Sequence, residues 1–262
     1  MKYSHADCFT VTPKNPIVLA HGLMGFDQLR LAGSLLPGLQ YWRGITEAMA
    51  GNGIEVIIAS VPPTGSIEER AAALGKNIAA KANGKSVNII AHSMGGLDAR
   101  YMISKLQPDN VNVLSLTTIA TPHRGSSFAD YLFEEIPEKL VPRIYNFLAS
   151  VGISSGAYKE LTTSYMRDTF NPNTRDVQGV QYFSYGATFD PDLWSAFRMP
   201  HRIVQQREGP NDGLVSVESA RWGTYKGTLV NVSHLDLINW TNRMKWYFWR
   251  LGGYEKKYVI RE

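Results

Sequence analysis

The chain has 262 residues, 44% of them hydrophobic and 19% charged, with a formal net charge of +4 at pH 7. That apolar share fills a large core, and the modest charge excludes a mostly disordered chain. Lys and Arg are scattered, with no run that would track a phosphate backbone, which argues against nucleic-acid binding. One cysteine, Cys8, leaves no internal disulfide to form. That fits a reducing compartment or a core needing no covalent staple. No stretch is long and apolar enough for a transmembrane helix. The opening MKYSHADCFTVTPKN holds no apolar signal-peptide core. The cellular address stays open between an intracellular protein and a mature secreted form.

Apolar β-type runs then alternate with helical patterns. NPIVLAHG (15–22) reads as a buried strand, YWRGITEAMAGNG (41–53) as a helix ending in glycine, and IEVIIAS (54–60) as a second strand. SIEERAAALGKNIAAKANG (66–84) places Ser66 and Glu69 at capping-box spacing and stops at Asn-Gly. SVNIIAHS (86–93) is a third strand, MGGLDARYMISKL (94–106) a third helix, and VNVLSLTTIATP (111–122) a fourth strand. This rhythm predicts right-handed crossovers and a mostly parallel sheet covered on both faces. The near-continuous apolar character of the strands agrees, because parallel strands are buried on both sides.

The rhythm breaks over 124–178, where no strand is obvious. Phe128, Tyr131, Leu132 and Phe133, then Leu140, Ile144, Phe147 and Leu148, recur at helical spacing, and Pro137 and Pro142 divide the segment. Such a length exceeds an ordinary connector and predicts a helical insertion into one domain spanning 1–262. The alternative is that these apolar faces simply pack on the core. GVQYFSYGA (179–187) resumes the sheet, GTLVNVS (227–233) gives a last strand, and LDLINWTNRMKWYFWRLGG (235–253) reads as a closing helix.

Ser93 sits where the third strand meets the third helix, in Ala91-His92-Ser93-Met94-Gly95. A nucleophile at so sharp a turn needs small residues two positions before and after it, to clear the neighbouring strand and helix. Ala91 and Gly95 meet this, with Ala in place of the first Gly of G-x-S-x-G. From here the chain resembles the α/β-hydrolases, and among them the true lipases of the Pseudomonas–Burkholderia type and their fungal relatives. The matching pieces are PIVLAHGLMGFD, AHSMGGLDARY, IATPHRGSSFAD, NDGLVSVESARWG and VSHLDLINW, in the family's order over nearly the whole chain.

A serine hydroxyl attacks only when a base takes its proton, and a third group must hold that base in the right tautomer. Of six histidines, His234 follows the last strand and precedes the closing helix, where the resemblance implies the base. His92 adjoins the nucleophile but is expected to point away along the turn. His21 shapes the His-Gly segment, His123 lies in a turn, and His5 and His201 lie in no motif. The acid belongs between nucleophile and base in chain order. Asp212, in the tight turn GPNDGLVSVES, meets this and matches the family's acid; Glu208, Asp190 and Asp192 are the alternatives. The oxyanion donors are expected to be the backbone N–H groups of Leu23 and Met94, the latter opening a helix.

The resemblance further implies that 124–178 is a lid, hinged at Gly125, Gly152 and Gly156. It would cover an acyl pocket in water and open at a lipid–water interface. Bacterial members of the family hold Ca²⁺ beside the histidine loop. Asp236 matches one ligand, but the family's amide ligand falls on Trp240, which cannot coordinate, and calcium wants six to eight oxygens. No cofactor is therefore expected, with Ca²⁺ near Asp236 the remaining candidate. The expected activity is hydrolysis of triacylglycerol esters through an acyl-serine intermediate, by a monomer. An esterase, phospholipase or acyltransferase on the same scaffold is the near alternative. A non-catalytic lipid-binding protein is the distant one. Asn231 and Asn239 open glycosylation sequons beside this centre, where a glycan would obstruct it, which argues against a eukaryotic secretory route.

Overall fold

The structure is a computed structural model and describes residues 12–23, 41–42, 44–135, 155–193, 195, 197–238 and 259–261. Among these residues one sheet has seven strands: β1 (Ile17–Ala20), β2 (Val56–Ile58), β3 (Val87–His92), β4 (Val113–Ile119), β5 (Gln181–Thr188), β6 (Thr224–Val230) and β7 (Val259–Arg261). Their spatial order is β2-β1-β3-β4-β5-β6-β7. The first six pair in parallel, and β7 closes the edge antiparallel to β6. The mostly parallel α/β-hydrolase sheet expected from the sequence is therefore present.

Both faces are covered, and β1 shows how. Val18 and Ala20 point into a cluster with Ala71, Leu74 and Ile78 of α2 (Ile67–Lys81). Ile17 and Leu19 point the other way, onto Tyr41, Trp42, Ile54 and Ile238. Each fully buried Leu or Ile contributes about 1.5–3 kcal/mol. Helix α2 starts where the sequence predicts: Ser66 Oγ accepts the Glu69 N–H at 3.2 Å, and the Glu69 carboxylate accepts the Ser66 N–H at 2.9 Å. A further orphan donor of its first turn, Ile67 N–H, is met by Glu160 at 2.7 Å.

Helix α1 (Ile45–Gly51) follows Trp42. Helix α3 (Gly95–Tyr101) runs on as a π turn, Met102–Leu106, stopped by Gln107 at φ +42°. Several elements differ from expectation. Strand β6 ends at Val230, and Asn231 takes φ +62°, so the last three residues of GTLVNVS form a loop. Helix α6 (Arg198–Arg207), which follows the short α4 (Ser127–Asp130) and α5 (Ser155–Lys159) and two single turns at Thr163–Tyr165 and Asn171–Asn173, has no counterpart in the sequence reading. It is rich in charged and polar residues, and only Pro200 and Val204 are buried. Strand β7 escaped notice because three edge residues carry no alternation to read. Of the expected closing helix, Asp236–Ile238 form a 3-10 turn, and the remainder lies outside the described residues. So do Leu140, Ile144, Phe147, Leu148, Pro137, Pro142 and Gly152 of the insertion. Its described parts contain helices and no strand.

Candidate active site

Ser93 ends the climb of β3 with φ +54°, a left-handed conformation that few non-glycine residues adopt. Surrounding contacts hold it there. Its N–H donates to the Ile119 carbonyl at 3.0 Å, and its carbonyl accepts from Thr121 Oγ at 2.7 Å and from Gly96 N–H at 3.1 Å. The small residues have a measurable reason. A Cβ at Gly95 would lie 2.7 Å from the carbonyl oxygens of both Ala20 and His21. Ala91 is fully buried between strands β1 and β4, which explains why one methyl fits there.

Three side chains separated in sequence converge at this turn. His234 Nε2 is 2.9 Å from Ser93 Oγ, and His234 Nδ1 is 2.7 Å from Asp212 Oδ2. Asp212 is fully buried and His234 is 4% exposed. The other Asp212 oxygen accepts the N–H groups of Leu214 and Val215 at 3.0 and 2.8 Å. Its backbone carbonyl accepts the His234 N–H at 2.8 Å, so the acid and base loops are joined twice. A carboxylate held this way fixes the imidazole with its proton on Nδ1 and leaves Nε2 free to accept from serine.

The Leu23 and Met94 segments meet beside the serine. A Cβ at Gly22 would lie 2.8 Å from Ser93 Cβ, so the chain leading to Leu23 passes directly over the nucleophile. Met94 is fully buried and Leu23 packs on the same apolar cluster. Polar residues brace this loop from below. Arg70, fully buried, donates to the His21 carbonyl at 2.8 Å and the Pro62 carbonyl at 2.7 Å, and pairs with Asp98 at 2.8 Å. Burial pushes Asp98 up to about 6, against the pull of Arg70. Its Oδ1 has no hydrogen-bond partner among the described residues. Tyr41 Oη accepts the Gly22 N–H at 3.0 Å and lies 2.7 Å from His92 Nδ1. Tyr41, Arg70 and Thr121 drew no notice in the sequence, since nothing local to them marks their long-range partners.

The other candidates fall elsewhere. The Glu208 carboxylate accepts the Ser127 N–H at 2.6 Å and the Ser216 hydroxyl at 2.5 Å. Asp190 and Asp192 are exposed. His123 is buried against Thr118 and Arg100, His201 stands edge-on to Phe189, and His5 lies outside the described residues. His92 does not point away along the turn: its ring is buried 4.6 Å from that of His234. At the stem of the insertion, Ser126 Oγ donates to the Leu214 carbonyl, and Asp130 accepts the N–H and hydroxyl of Thr163 at 2.8 and 2.7 Å. Gly125 takes φ +83° and would place a Cβ 2.6 Å from Thr163 Cα, so contact with backbone already requires glycine there. Asp236 accepts from the Ser233 hydroxyl at 2.7 Å and the Ser233 N–H at 3.2 Å. Among the described residues no group of three or more His, Cys, Asp or Glu is arranged to hold a metal ion.

The PGAP1-like alpha/beta domain family matches residues 69–174. "Triacylglycerol lipase 2" of Saccharomyces cerevisiae is 40% identical over 89% of this chain and 82% of its own length. "Triacylglycerol lipase" of Vibrio cholerae is 31% identical over 86% of this chain and 79% of its own. Among solved structures, the mature Bacillus licheniformis lipase BlEst2 superposes with a TM-score of 0.69 at 22% identity, covering 94% of this chain and 95% of that one. The Staphylococcus hyicus lipase gives a TM-score of 0.63 at 18% identity, covering 93% and 98%. At these identities the structural likeness speaks for the fold.

Proposed function

Because the chain belongs to the triacylglycerol lipases, ester hydrolases of the α/β-hydrolase fold, we propose that it cleaves triacylglycerols with Ser93, His234 and Asp212 as its catalytic triad. Ser93 Oγ attacks the ester carbonyl while His234 Nε2 takes its proton. Asp212 keeps the ring oriented and supports the imidazolium. The carbonyl oxygen, now negative, is held by the Leu23 and Met94 N–H groups, each such donor being worth about 3–4 kcal/mol to the transition state. His234 returns the proton to the departing alcohol, leaving an acyl-serine. Water, deprotonated by the same ring, then frees the fatty acid.

The observation that carries this reading is the unbroken 2.9 and 2.7 Å chain from Ser93 through His234 to a fully buried Asp212. Ser93→Ala is the test. It should lower tributyrin hydrolysis in a pH-stat by about 10⁵–10⁶-fold and abolish labelling by a fluorophosphonate. Labelling that survived in Ser93→Ala would overturn the assignment.

The same reading places the enzyme at the lipid–water interface as a monomer, with 124–178 as its cover. The stem of that segment is bonded to the acid loop through Ser126 and Ser127, which supports the placement. Among the described residues no helix is long and apolar enough to cross a membrane. Replacing 136–154 with a short Gly-Ser linker leaves the described stem intact. It should remove any rate jump as a short-chain ester passes its solubility limit, and an unchanged jump would refute the gating.

A further inference from the structure

The His92 ring is buried against the ring of the base yet takes no part in the steps above. Its centroid is 4.6 Å from that of His234, with the rings inclined at 45°. Its Nδ1 meets Tyr41 Oη at 2.7 Å, and the same oxygen accepts the Gly22 N–H at 3.0 Å. The hydrogens can be assigned. An amide N–H only donates, so Tyr41 accepts from Gly22 and must place its own hydrogen elsewhere. His92 Nδ1 takes it, because the reverse assignment would leave both the phenol hydrogen and a bare Nε2 unmet among the described residues, against a single unmet hydrogen on Nε2 in this one. His92 is then the Nε2–H tautomer. That nitrogen is buried with no partner at hydrogen-bond distance among the described residues.

We infer that Tyr41 and His92 are a positioning pair for the lipase reaction, tying the loop that carries the Leu23 donor to the ring that backs His234 and keeping that ring neutral. The inference rests on the reading of His234 as the base. One phenol oxygen spans the two parts of the site that must be in register at the transition state: the donor loop, through Gly22 N–H, and the base, through the face of His92. Neutrality matters because His234 becomes an imidazolium when it takes the Ser93 proton. A second cationic ring at its face would oppose that charge. The phenol hydrogen occupies Nδ1, the nitrogen that would otherwise take the extra proton. Burial holds the His92 ring well below the ordinary imidazole range; the charge of the His234 ring lowers it further, and the His234 backbone offsets part of this. Burial also pushes the Tyr41 phenol up, so it keeps its hydrogen. The pair touches neither substrate nor the reacting atoms and acts only through Gly22 and His234.

The test is steady-state hydrolysis of p-nitrophenyl butyrate by Tyr41→Phe, His92→Gln, His92→Asn and the double variant Tyr41→Phe/His92→Gln, with Ser93→Ala alongside. Phenylalanine keeps the ring that packs on Trp42 and removes only the hydroxyl. Asparagine puts an amide where Nδ1 stands and can still accept the phenol hydrogen, whereas glutamine puts its amide where Nε2 stands and leaves that hydrogen unmet. Tyr41→Phe and His92→Gln should each lower kcat about 10- to 100-fold with KM within about threefold, as expected of a misplaced base and donor. The double variant should fall no further than the worse single, because the two act as one unit. His92→Asn should recover kcat to within about fivefold of wild type. A Tyr41→Phe enzyme with wild-type kcat, or a loss confined to KM, would overturn the pair. Should Tyr41→Phe fail to fold, the asparagine and glutamine variants decide alone, and equal kcat values overturn it. An inactive Ser93→Ala beside a fully active Tyr41→Phe removes the pair and spares the triad. An active Ser93→Ala removes both.

Discussion

The nucleophile and the acid–base couple are held in place by different physics. Ser93 lies between elements of regular structure, β3 and α3, and its φ of +54° is enforced by contact: backbone carbonyls crowd Gly95, and Gly22 crosses the serine itself. Asp212 and His234 lie on loops. Their positions come from hydrogen bonds, with Leu214 and Val215 N–H on the carboxylate, Asp212 carbonyl on His234 N–H, and Ser126 and Glu208 bracing the loop from outside. The strand side should therefore fail when volume changes, and the loop side when polarity changes at constant volume.

The sharpest way to break that contrast is Asp212→Asn, which alters no volume. The asparagine oxygen can still accept from Leu214 and Val215, so the loop should hold. Its NH₂ then faces His234 Nδ1, which must give up its proton to accept. The ring becomes the Nε2–H tautomer and can no longer accept from Ser93. By analogy with a triad carboxylate replaced elsewhere, kcat should fall about 10⁴-fold. A melting temperature near wild type would show that polarity alone did it; an equal loss of fold and activity would erase the contrast.

Gly95→Ala is the converse, a change of volume without polarity. The added methyl would sit 2.7 Å from the Ala20 and His21 oxygens, and both belong to backbone that cannot rotate away. Overpacking of this kind costs about 3 kcal/mol, and for a chain of this size that lowers the melting temperature by roughly 6–12 °C. Calorimetry or a circular-dichroism melt reads it directly. A melting point within experimental error of wild type would mean that β1 and α3 separate easily, and that the elbow is not sterically set.

The same contrast explains what could be read from the sequence. Steric constraints leave local marks: Ala91 and Gly95 flank Ser93 within five residues, and near-continuous apolar runs betray the buried strands. That is why β1 to β5 and the elbow are legible, whereas Asp212 and His234 are placed by chain order and by the resemblance. Hydrogen-bonded bracing leaves none. Ser127 meets Glu208 across 81 residues and Arg70 meets the His21 carbonyl across 49, so neither end predicts the other. Glu208 was readable only as a rival acid, and His92 was placed facing away from the base it backs. Helix α6 is missed because it is strongly polar and buries only Pro200 and Val204, too few apolar residues to mark it as a core-facing element.

Asp98 tests a polar device on the steric side. Its folded value is raised to about 6 from 3.8, so the fold prefers the protonated acid. The stability this contributes is complete below the unfolded value and is lost as pH rises through about 6. Between about pH 4 and pH 7 the loss is on the order of 2 kcal/mol. Asparagine cannot titrate, so wild type should lose stability relative to Asp98→Asn over that window. The constant offset between the two reports the lost partner of Arg70, while the slope reports Asp98. Parallel melting curves across the window would show that Arg70 holds the carboxylate ionised throughout.

Glu208→Ala carries the smallest expected effect and probes the loop side from its outer edge. Truncation leaves the Ser127 N–H and the buried Ser216 hydroxyl without their acceptor. Water can reach a partly exposed site, so only part of the penalty for an unmet polar group is incurred, about 1–2 kcal/mol. Glu208 does not touch His234. What it fixes is the start of the insertion and Ser216, the residue directly after the pair of N–H groups on Asp212. Loosening them should widen the spread of Asp212 positions rather than remove the triad, lowering kcat about three- to tenfold. Glu208→Gln should fall between alanine and wild type, since its amide oxygen can still accept from Ser127 while its NH₂ leaves the Ser216 hydroxyl hydrogen without an acceptor. If glutamine proved as damaging as alanine, the negative charge itself would be the active feature, and the loop side would be governed by electrostatics rather than by directed hydrogen bonds.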